Sequence, residues 1–148
     1  MIYLKNIATI TLRDTFNHKK NTITYYKIIT YINNLPIYTS ISDDHNKILS
    51  NFKSQFNITL LNKLFLKFNI YNQWEDNGDS YESYDLVFFN PSIIKSLTYD
   101  AKGKFKLVLN TGSIFNILKQ EKNLPLLTEE LNSKIKLYNS FNCLKIIK

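Results

Sequence analysis

The sequence has few of the residues on which the common nucleotide-binding and metal-binding motifs depend. Its three glycines, Gly78, Gly103 and Gly112, cannot form a phosphate-binding loop or a dinucleotide-binding fingerprint. The single cysteine, Cys143, excludes an internal disulfide and a zinc site built from paired cysteines. Because Cys143 lies in an apolar segment with no base beside it, we interpret it as a buried, inert thiol.

Long apolar runs and a targeting segment are also missing. The chain has no run of about 18 apolar residues, so we expect no membrane-spanning helix. The N-terminus lacks the basic region, apolar core and small-residue cleavage site of a secretory signal. We therefore expect a cytoplasmic protein, located in the host cytoplasm if a phage encodes it, with an organelle as the alternative location. No cofactor is expected.

Arginine and alanine are almost absent, since Arg13 is the only arginine and Ala8 and Ala101 are the only alanines. Ile, Asn, Lys, Tyr and Phe, which AT-rich codons encode, are abundant instead. We infer an AT-rich genome, such as that of a phage, a mobile element, a low-GC bacterium or an organelle. The net charge of +7 is then partly a by-product of codon usage, which weakens it as a sign of a polyanionic partner.

The apolar residues that are present recur with the periods of strands and helices. Two-residue alternation and β-branched or apolar runs predict strands near 8–13, 22–32, 35–41, 84–89, 93–99, 105–109, 113–118 and 141–147. Helical spacing after a capping residue predicts helices that begin near Asp44 and Thr128. Residues 58–71 fit both periods, and we predict a short turn of helix followed by a strand from about Lys63.

These elements predict an α+β fold, a single compact domain in which antiparallel sheets are covered by two helices. A chain of 148 residues is long enough to bury a stable core without disulfides. Residues 1–71 and 84–148 show a similar order of elements, which indicates two repeated ββαβ halves joined by an acidic loop, 72–83. Chance similarity of a common local arrangement is the alternative.

The acidic segment is the most asymmetric part of the chain, because no basic residue lies between Tyr71 and Pro91. Its carboxylates are interleaved with aromatic residues, which act as anchors in protein interfaces. A solvated loop without a binding role is the alternative. The candidate residues for binding a basic protein partner are Trp74, Glu75, Asp76, Asp79, Tyr81, Glu82 and Tyr84.

Lysine residues form a second candidate surface. Lys102, Lys104 and Lys106 would share one face of a strand, and Lys19 and Lys20 lie in a predicted loop. Such lysines would bind the backbone of a nucleic acid in a salt-dependent manner. Sequence-specific recognition is not expected, because arginine is the best bidentate reader of phosphate and guanine.

The two histidines suggest a third candidate site. His18 and His45, together with Asp43 and Asp44, could bind a divalent metal ion and hydrolyse a phosphodiester. The two aspartates are also explained by capping of the helix that follows them. We therefore predict neither a metal site nor a catalytic residue.

No set of catalytic residues is evident in the sequence. The leading hypothesis is therefore a non-enzymatic interaction protein that binds another macromolecule through its surface. A phage or mobile-element accessory protein, such as an assembly component or an inhibitor of a host defence system, is consistent with the size and composition. The alternatives are a nucleic-acid-binding or ribonucleoprotein component and a metal-dependent nuclease. Another protein is the expected partner, and a homodimer formed through sheet edges is a further expectation.

Overall fold

Eight strands and three helices make up the part of the chain that the structure, a computed structural model, describes: residues 6–19, 22–32, 35–102, 104–117 and 123–140. The strands are β1 (Thr9–Asn17), β2 (Thr22–Ile32), β3 (Leu35–Ser42), β4 (Leu66–Asp76), β5 (Asp79–Phe89), β6 (Ile94–Tyr99), β7 (Phe105–Leu109) and β8 (Ile114–Asn116). The helices are α1 (His45–Gln55), α2 (Ile58–Leu64) and α3 (Leu124–Asn139). A short 3-10 turn, Pro91–Ile93, connects β5 to β6.

The strands form two antiparallel sheets. The larger sheet has the order β3-β2-β1-β5-β4, and the smaller sheet has the order β6-β7-β8. An isolated bridge between Ile70 of β4 and Ile117 connects the edge of the larger sheet to the segment that follows β8. β5 is thus a central strand, paired with β1 on one side and with β4 on the other.

Both faces of the larger sheet contribute side chains to the core, and successive residues of a strand point to opposite faces. Phe88 and Phe89 of β5 illustrate this arrangement. Phe88 packs against Phe52 of α1, on the side that we call the helix face because α1 and α2 cover it. Phe89 packs against Phe115 of β8, on the side that we call the inter-sheet face. The inter-sheet face is covered in part by the smaller sheet and α3.

Asparagine and aspartate caps define where the helices begin. Asp44 accepts hydrogen bonds from the backbone N–H groups at the start of α1, and Asn57 does so for α2. α3 begins at Leu124 rather than near Thr128, because Asn123 is its cap and Pro125 occupies a position in the first turn that favours proline. The helix is therefore about one turn longer than the sequence predicted.

The predicted α+β class with antiparallel sheets is confirmed, and three helices rather than two cover the sheets. The third helix comes from the ambiguous segment 58–71. Its first part forms α2, with Leu61 and Leu64 buried, and β4 begins at Leu66. The predicted order of a short helix followed by a strand is correct, and both periods in this segment reflect real structure.

The predicted loop 72–83 is wrong, because these residues form the end of a long β-hairpin. β4 continues to Asp76 and β5 starts at Asp79, so only Asn77 and Gly78 form the turn. Both turn residues have positive φ, 51° and 81°, as a type I′ turn requires. Asn-Gly between two strands is the strongest short-range signal for such a hairpin. The charged residues on both sides of Asn77-Gly78 favoured the interpretation as a loop.

The predicted halves do not form separate sheets. The apolar part of β5, residues 84–89, belongs to the second predicted half. In the larger sheet β5 nevertheless lies between β1 and β4, which begin in the first half. Strand order does not test duplication, so the repeat stays a prediction. Several predictions concern residues outside the described part of the chain: the strand 141–147 with Cys143, and the residues Gly103 and Lys20. Within the described residues, no helix has the length and apolar character needed to cross a membrane.

Candidate functional site

The residues predicted to bind a protein partner lie at the end of the β4–β5 hairpin, which we call the hairpin end (residues 71–84). The strand pleat divides these residues between the two faces of the larger sheet. Trp74 and Tyr81 are directly paired and belong to the inter-sheet face, as do Asp76 and Asp79. The residues on the helix face are Glu75, Glu82 and Tyr84.

A stacked aromatic pair occupies the inter-sheet face of the hairpin end. The ring centroids of Trp74 and Tyr81 are 5.7 Å apart, and their planes differ by 13°. The guanidinium carbon of Arg13 lies 5.7 Å from the centroid of the Trp74 ring, a cation–π geometry. Partial burial, together with the nearby carboxylates of Asp79 and Asp76, raises the pKa of the Tyr81 hydroxyl above its ordinary value.

Arg13 also makes an ion pair with Asp85 on the neighbouring strand. Arg13 Nη2 lies 2.9 Å from Asp85 Oδ2, and Arg13 Nε lies 3.0 Å from Asp85 Oδ1. Asn72 Nδ2 donates a further hydrogen bond of 2.9 Å to Asp85 Oδ2. Only 2% of the Asp85 side chain is exposed, against 27% for Arg13. The buried carboxylate is thus neutralised and hydrogen-bonded, which buried charges require.

A cleft of about 580 Å³ lies next to this ion pair, between the inter-sheet face and the turn that connects β7 to β8. Its volume is in the range of small-molecule binding sites. One end of the cleft is polar and is formed by Arg13, Asn72 and Asp85. Apolar side chains form most of the remaining wall, among them Val87, Phe89, Leu109 and Phe115.

Sequence reasoning missed this cleft and both members of its ion pair. Arg13 and Asp85 are 72 residues apart, and no local pattern relates them. The only available signal is that Arg13 is the single arginine of the chain. Asp85 lies within the acidic segment, and no feature of the sequence distinguishes it from the neighbouring carboxylates.

On the helix face, the hairpin end carries a second polar and aromatic group. The rings of Tyr71 and Tyr84 are in contact, with centroids 5.1 Å apart, and 53% of Tyr84 is exposed. The hydroxyl of Tyr71 donates a hydrogen bond to Glu82, and this bond raises the pKa of Tyr71 above its ordinary value. His18 Nε2 lies 3.4 Å from the same carboxylate of Glu82.

The histidines predicted as metal ligands make separate contacts. His18 contacts Glu82 and Phe16, whereas the ring of His45 packs against Tyr26 at the start of α1. Asp44 is used as the cap of α1, as the sequence also allowed. Among the described residues, no three His, Cys, Asp or Glu side chains form a group that could hold a metal ion.

The candidate lysines lie at two places in the fold. Lys19 follows β1, and its Nζ lies 3.7 Å from Asp79 Oδ1 of the hairpin end. Lys102 and Lys104 are exposed in the turn between β6 and β7, where Asp100 accepts their backbone N–H groups. Lys106, on β7, has its Nζ 3.7 Å from Asp100 Oδ2. Of these lysines only Lys106 lies in a strand, so the prediction that Lys102, Lys104 and Lys106 share one face of a strand is wrong.

The carboxylate of Asp100 organises the lysine-bearing turn. The backbone N–H groups of Lys104 and Lys102 donate to it, with the positive charges of Lys106 and Lys104 nearby, and together these contacts lower the pKa of Asp100 below its ordinary value. Tyr99, next to Asp100, has 51% of its surface exposed. The turn therefore combines two exposed lysines with an exposed aromatic ring.

No protein-family model, no curated protein and no solved structure matches the chain. Function has therefore to be inferred from the geometry of these surfaces.

Proposed function

We propose that the protein is a non-enzymatic interaction protein, which binds a basic region of another protein through the inter-sheet face of its hairpin end. The observation that carries this proposal is the contact of Arg13, Trp74 and Tyr81 in one group. Arginine, tryptophan and tyrosine are the residue types most enriched among those that dominate the binding energy of protein interfaces.

The side chains of this group hold one another in place without a partner, which supports the proposal. Trp74 and Tyr81 are stacked on each other while each remains partly exposed. Arg13, which contacts the Trp74 ring, is itself held by Asp85. Side chains that are already ordered lose little conformational entropy on binding, which favours affinity.

The charge around the aromatic pair supports a basic partner. Asp76 and Asp79 flank the turn on the same face, and the exposed Glu75 lies on the opposite face. Carboxylates at the rim of an interface attract a positively charged partner and accelerate association more than they add to affinity. Lys19 offsets part of this charge through its contact with Asp79.

A capture experiment from the native source tests this function. Wild-type protein should retain a protein partner after nuclease treatment, whereas Trp74→Ala should retain at least about tenfold less, as expected for loss of an interface anchor. Tyr99→Ala is the matched control, since it removes an exposed aromatic ring from the other sheet. Equal retention by Trp74→Ala, or loss of the partner on nuclease treatment, would contradict the proposal.

The turn between β6 and β7 favours a second function, binding of single-stranded nucleic acid. Lys102 and Lys104 would contact phosphates, and the exposed ring of Tyr99 would stack on a base. The affinity for a fluorescently labelled oligonucleotide should then fall log-linearly as the salt concentration rises. Tyr99→Ala should weaken this binding, and Trp74→Ala should not. Absence of binding at low salt would remove this candidate.

The wider biological setting belongs to the same proposal. A phage or mobile-element origin rests on the AT-rich composition, and the proposed location is then the cytoplasm of the host cell. An assembly component or an inhibitor of a host defence system would use a preformed protein-binding surface of this kind. The nuclease alternative has no supporting contact among the described residues, since the histidines lie in separate environments.

A further inference from the structure

The cleft between the sheets has the size and the distribution of polar groups of a ligand site. Its volume is about 580 Å³ and most of its wall is apolar. The charged groups of the wall, Arg13 and Asp85, lie at one end, and Asn110, Thr111 and Ser113 of the turn between β7 and β8 add uncharged polar groups. Small-molecule sites have this composition, in which a few polar groups orient a ligand whose body is buried against apolar walls. Trp74 and Tyr81 do not line the cleft, whereas Arg13 belongs both to the cleft and to the group proposed to bind the protein partner.

The guanidinium of Arg13 retains hydrogen-bonding capacity toward the cleft. Asp85 accepts from Arg13 Nε and Nη2, which leaves the two protons of Nη1 and one proton of Nη2. No acceptor for Nη1 exists among the described residues. Because Arg13 lines the cleft and 27% of its side chain is exposed, a ligand in the cleft can reach this side chain.

The local charge favours a ligand with a single negative charge. Asp85 offsets the charge of Arg13, and Lys27, directly opposite Arg13 on β2, adds a positive charge on the same face of the sheet. The net charge of Arg13, Lys27 and Asp85 together is about +1 at neutral pH. A guanidinium that binds one carboxylate through Nε and Nη2 can bind a second through its Nη1 edge.

We propose that the cleft binds a small organic monocarboxylate with an apolar body. The carboxylate accepts hydrogen bonds from Arg13, and the apolar body lies against Val87, Ile93 and Phe115. The hydroxyl groups of Thr9 and Thr11, which also line the cleft, are further donors near the polar end.

Trp74 provides a built-in reporter for this site. It is the only tryptophan of the chain, and Arg13 lies over its ring. Decanoate, used below its aggregation concentration, should change the Trp74 fluorescence in a saturable manner, with a stoichiometry of one by calorimetry. Decanol, which has the same apolar body without the charge, should bind at least about tenfold more weakly, because it cannot form a charge-assisted pair with Arg13.

Two variants locate the ligand without disturbing the ion pair. Ser113 is exposed at the mouth of the cleft, so Ser113→Phe should obstruct entry and weaken decanoate binding at least about tenfold. Thr98→Phe places the same ring at an exposed position of β6 that does not line the cleft, and it should bind as the wild type does.

Three results would overturn this inference. They are the absence of saturable decanoate binding to the wild type, equal affinity for decanol and decanoate, and unchanged binding to Ser113→Phe. Because Ser113 and Thr98 lie outside the hairpin end, the outcome is independent of partner capture by that surface. Each proposal can therefore fail while the other holds.

Discussion

The guanidinium of Arg13 is held between the buried carboxylate of Asp85, 2.9 Å from Nη2, and the indole ring of Trp74, 5.7 Å from Cζ. The side chain of Arg13 is therefore part of the polar end of the cleft and also contacts the aromatic pair of the hairpin end. Asp85 in turn depends on Arg13 for its charge neutralisation, since the remaining hydrogen bond comes from the neutral amide of Asn72. The stability of the sheet and the shape of both candidate surfaces are thus coupled at this position.

Removal of one member of the pair should destabilise the fold strongly. Arg13→Met leaves the Asp85 carboxylate buried without a cationic partner, and we expect the free energy of unfolding to fall by about 3 kcal/mol in urea denaturation. The double variant Arg13→Met/Asp85→Leu should recover most of this loss, because it removes the buried charge as well.

The exposed ion pair of Lys19 is the matched control for Arg13. Lys19→Met removes a contact of 3.7 Å to Asp79, at a position where 72% of the lysine side chain is exposed. We expect a change of less than about 0.5 kcal/mol, as is usual for exposed pairs. If Lys19→Met and Arg13→Met reduced stability equally, burial of Asp85 would not be the cause.

Lys134 of α3 should stabilise the contact between α3 and α2. Its Nζ donates to the backbone carbonyls of Asn62 and Phe65, at distances of 3.0 and 2.6 Å, where α2 ends. Lys134→Met should lower the free energy of unfolding by about 1.5 to 3 kcal/mol, because carbonyls that bound a charged donor lose it. Lys136→Met, at an exposed position of the same helix, should stay within about 0.5 kcal/mol of the wild type.

The turn of the β4–β5 hairpin should require glycine at its second position. Gly78 has φ of 81°, and an added Cβ would meet no atom within 4 Å. Gly78→Ala should therefore destabilise the fold through backbone strain alone, by about 1 to 2 kcal/mol in thermal or urea unfolding. Asn77→Gly, which relieves the positive φ of Asn77, should not destabilise the turn. A neutral Gly78→Ala would contradict the type I′ geometry.

Asp14 should make stability depend on pH in a direction opposite to that of a salt-bridged carboxylate. Burial raises its pKa above the ordinary 3.8, with Asp85 adding to the rise and His45 opposing it. Between 3.8 and the raised value the folded state binds more protons than the unfolded state, so the contribution of Asp14 to stability decreases as pH rises.

The variant Asp14→Asn tests this sign. It should be slightly more stable than the wild type at pH 7, and the difference should disappear below pH 3.8. Since the side chain is only partly buried, solvent screening limits the gain to about 0.5 kcal/mol or less. A gain that grew toward acid pH would show that the pKa of Asp14 is lowered instead.

The edge strand β3 is where we expect two copies of the chain to pair. β3 has no charged residue over Leu35–Ser42, and 63% of Ile41 is exposed. Uncharged, exposed edges are the surfaces that associate by strand pairing. Sedimentation should show a concentration-dependent dimer, and Ile41→Lys should shift it to monomer. A monomeric wild type at high concentration would exclude the expected homodimer.

Most individual elements were predictable because their signals are local. The alternation over Phe105–Leu109 and the cap at Asp44 each act within a few residues, so β7 and the start of α1 were located from the sequence. The hairpin end was missed for a local reason as well. Its charged residues were interpreted as a loop although Asn77-Gly78 indicates a tight turn.

The sequence by itself determined the α+β class and the acidic, aromatic character of the hairpin end, because periodicity and composition need no knowledge of distant neighbours. Only the tertiary structure decided that β5 lies between β1 and β4, that Trp74 stacks on Tyr81 next to Arg13, and that a cleft lies beside the Arg13–Asp85 ion pair. These relationships depend on strand pairing between segments far apart in the chain. Such pairing is selected by the fit of whole buried faces and not by any short pattern.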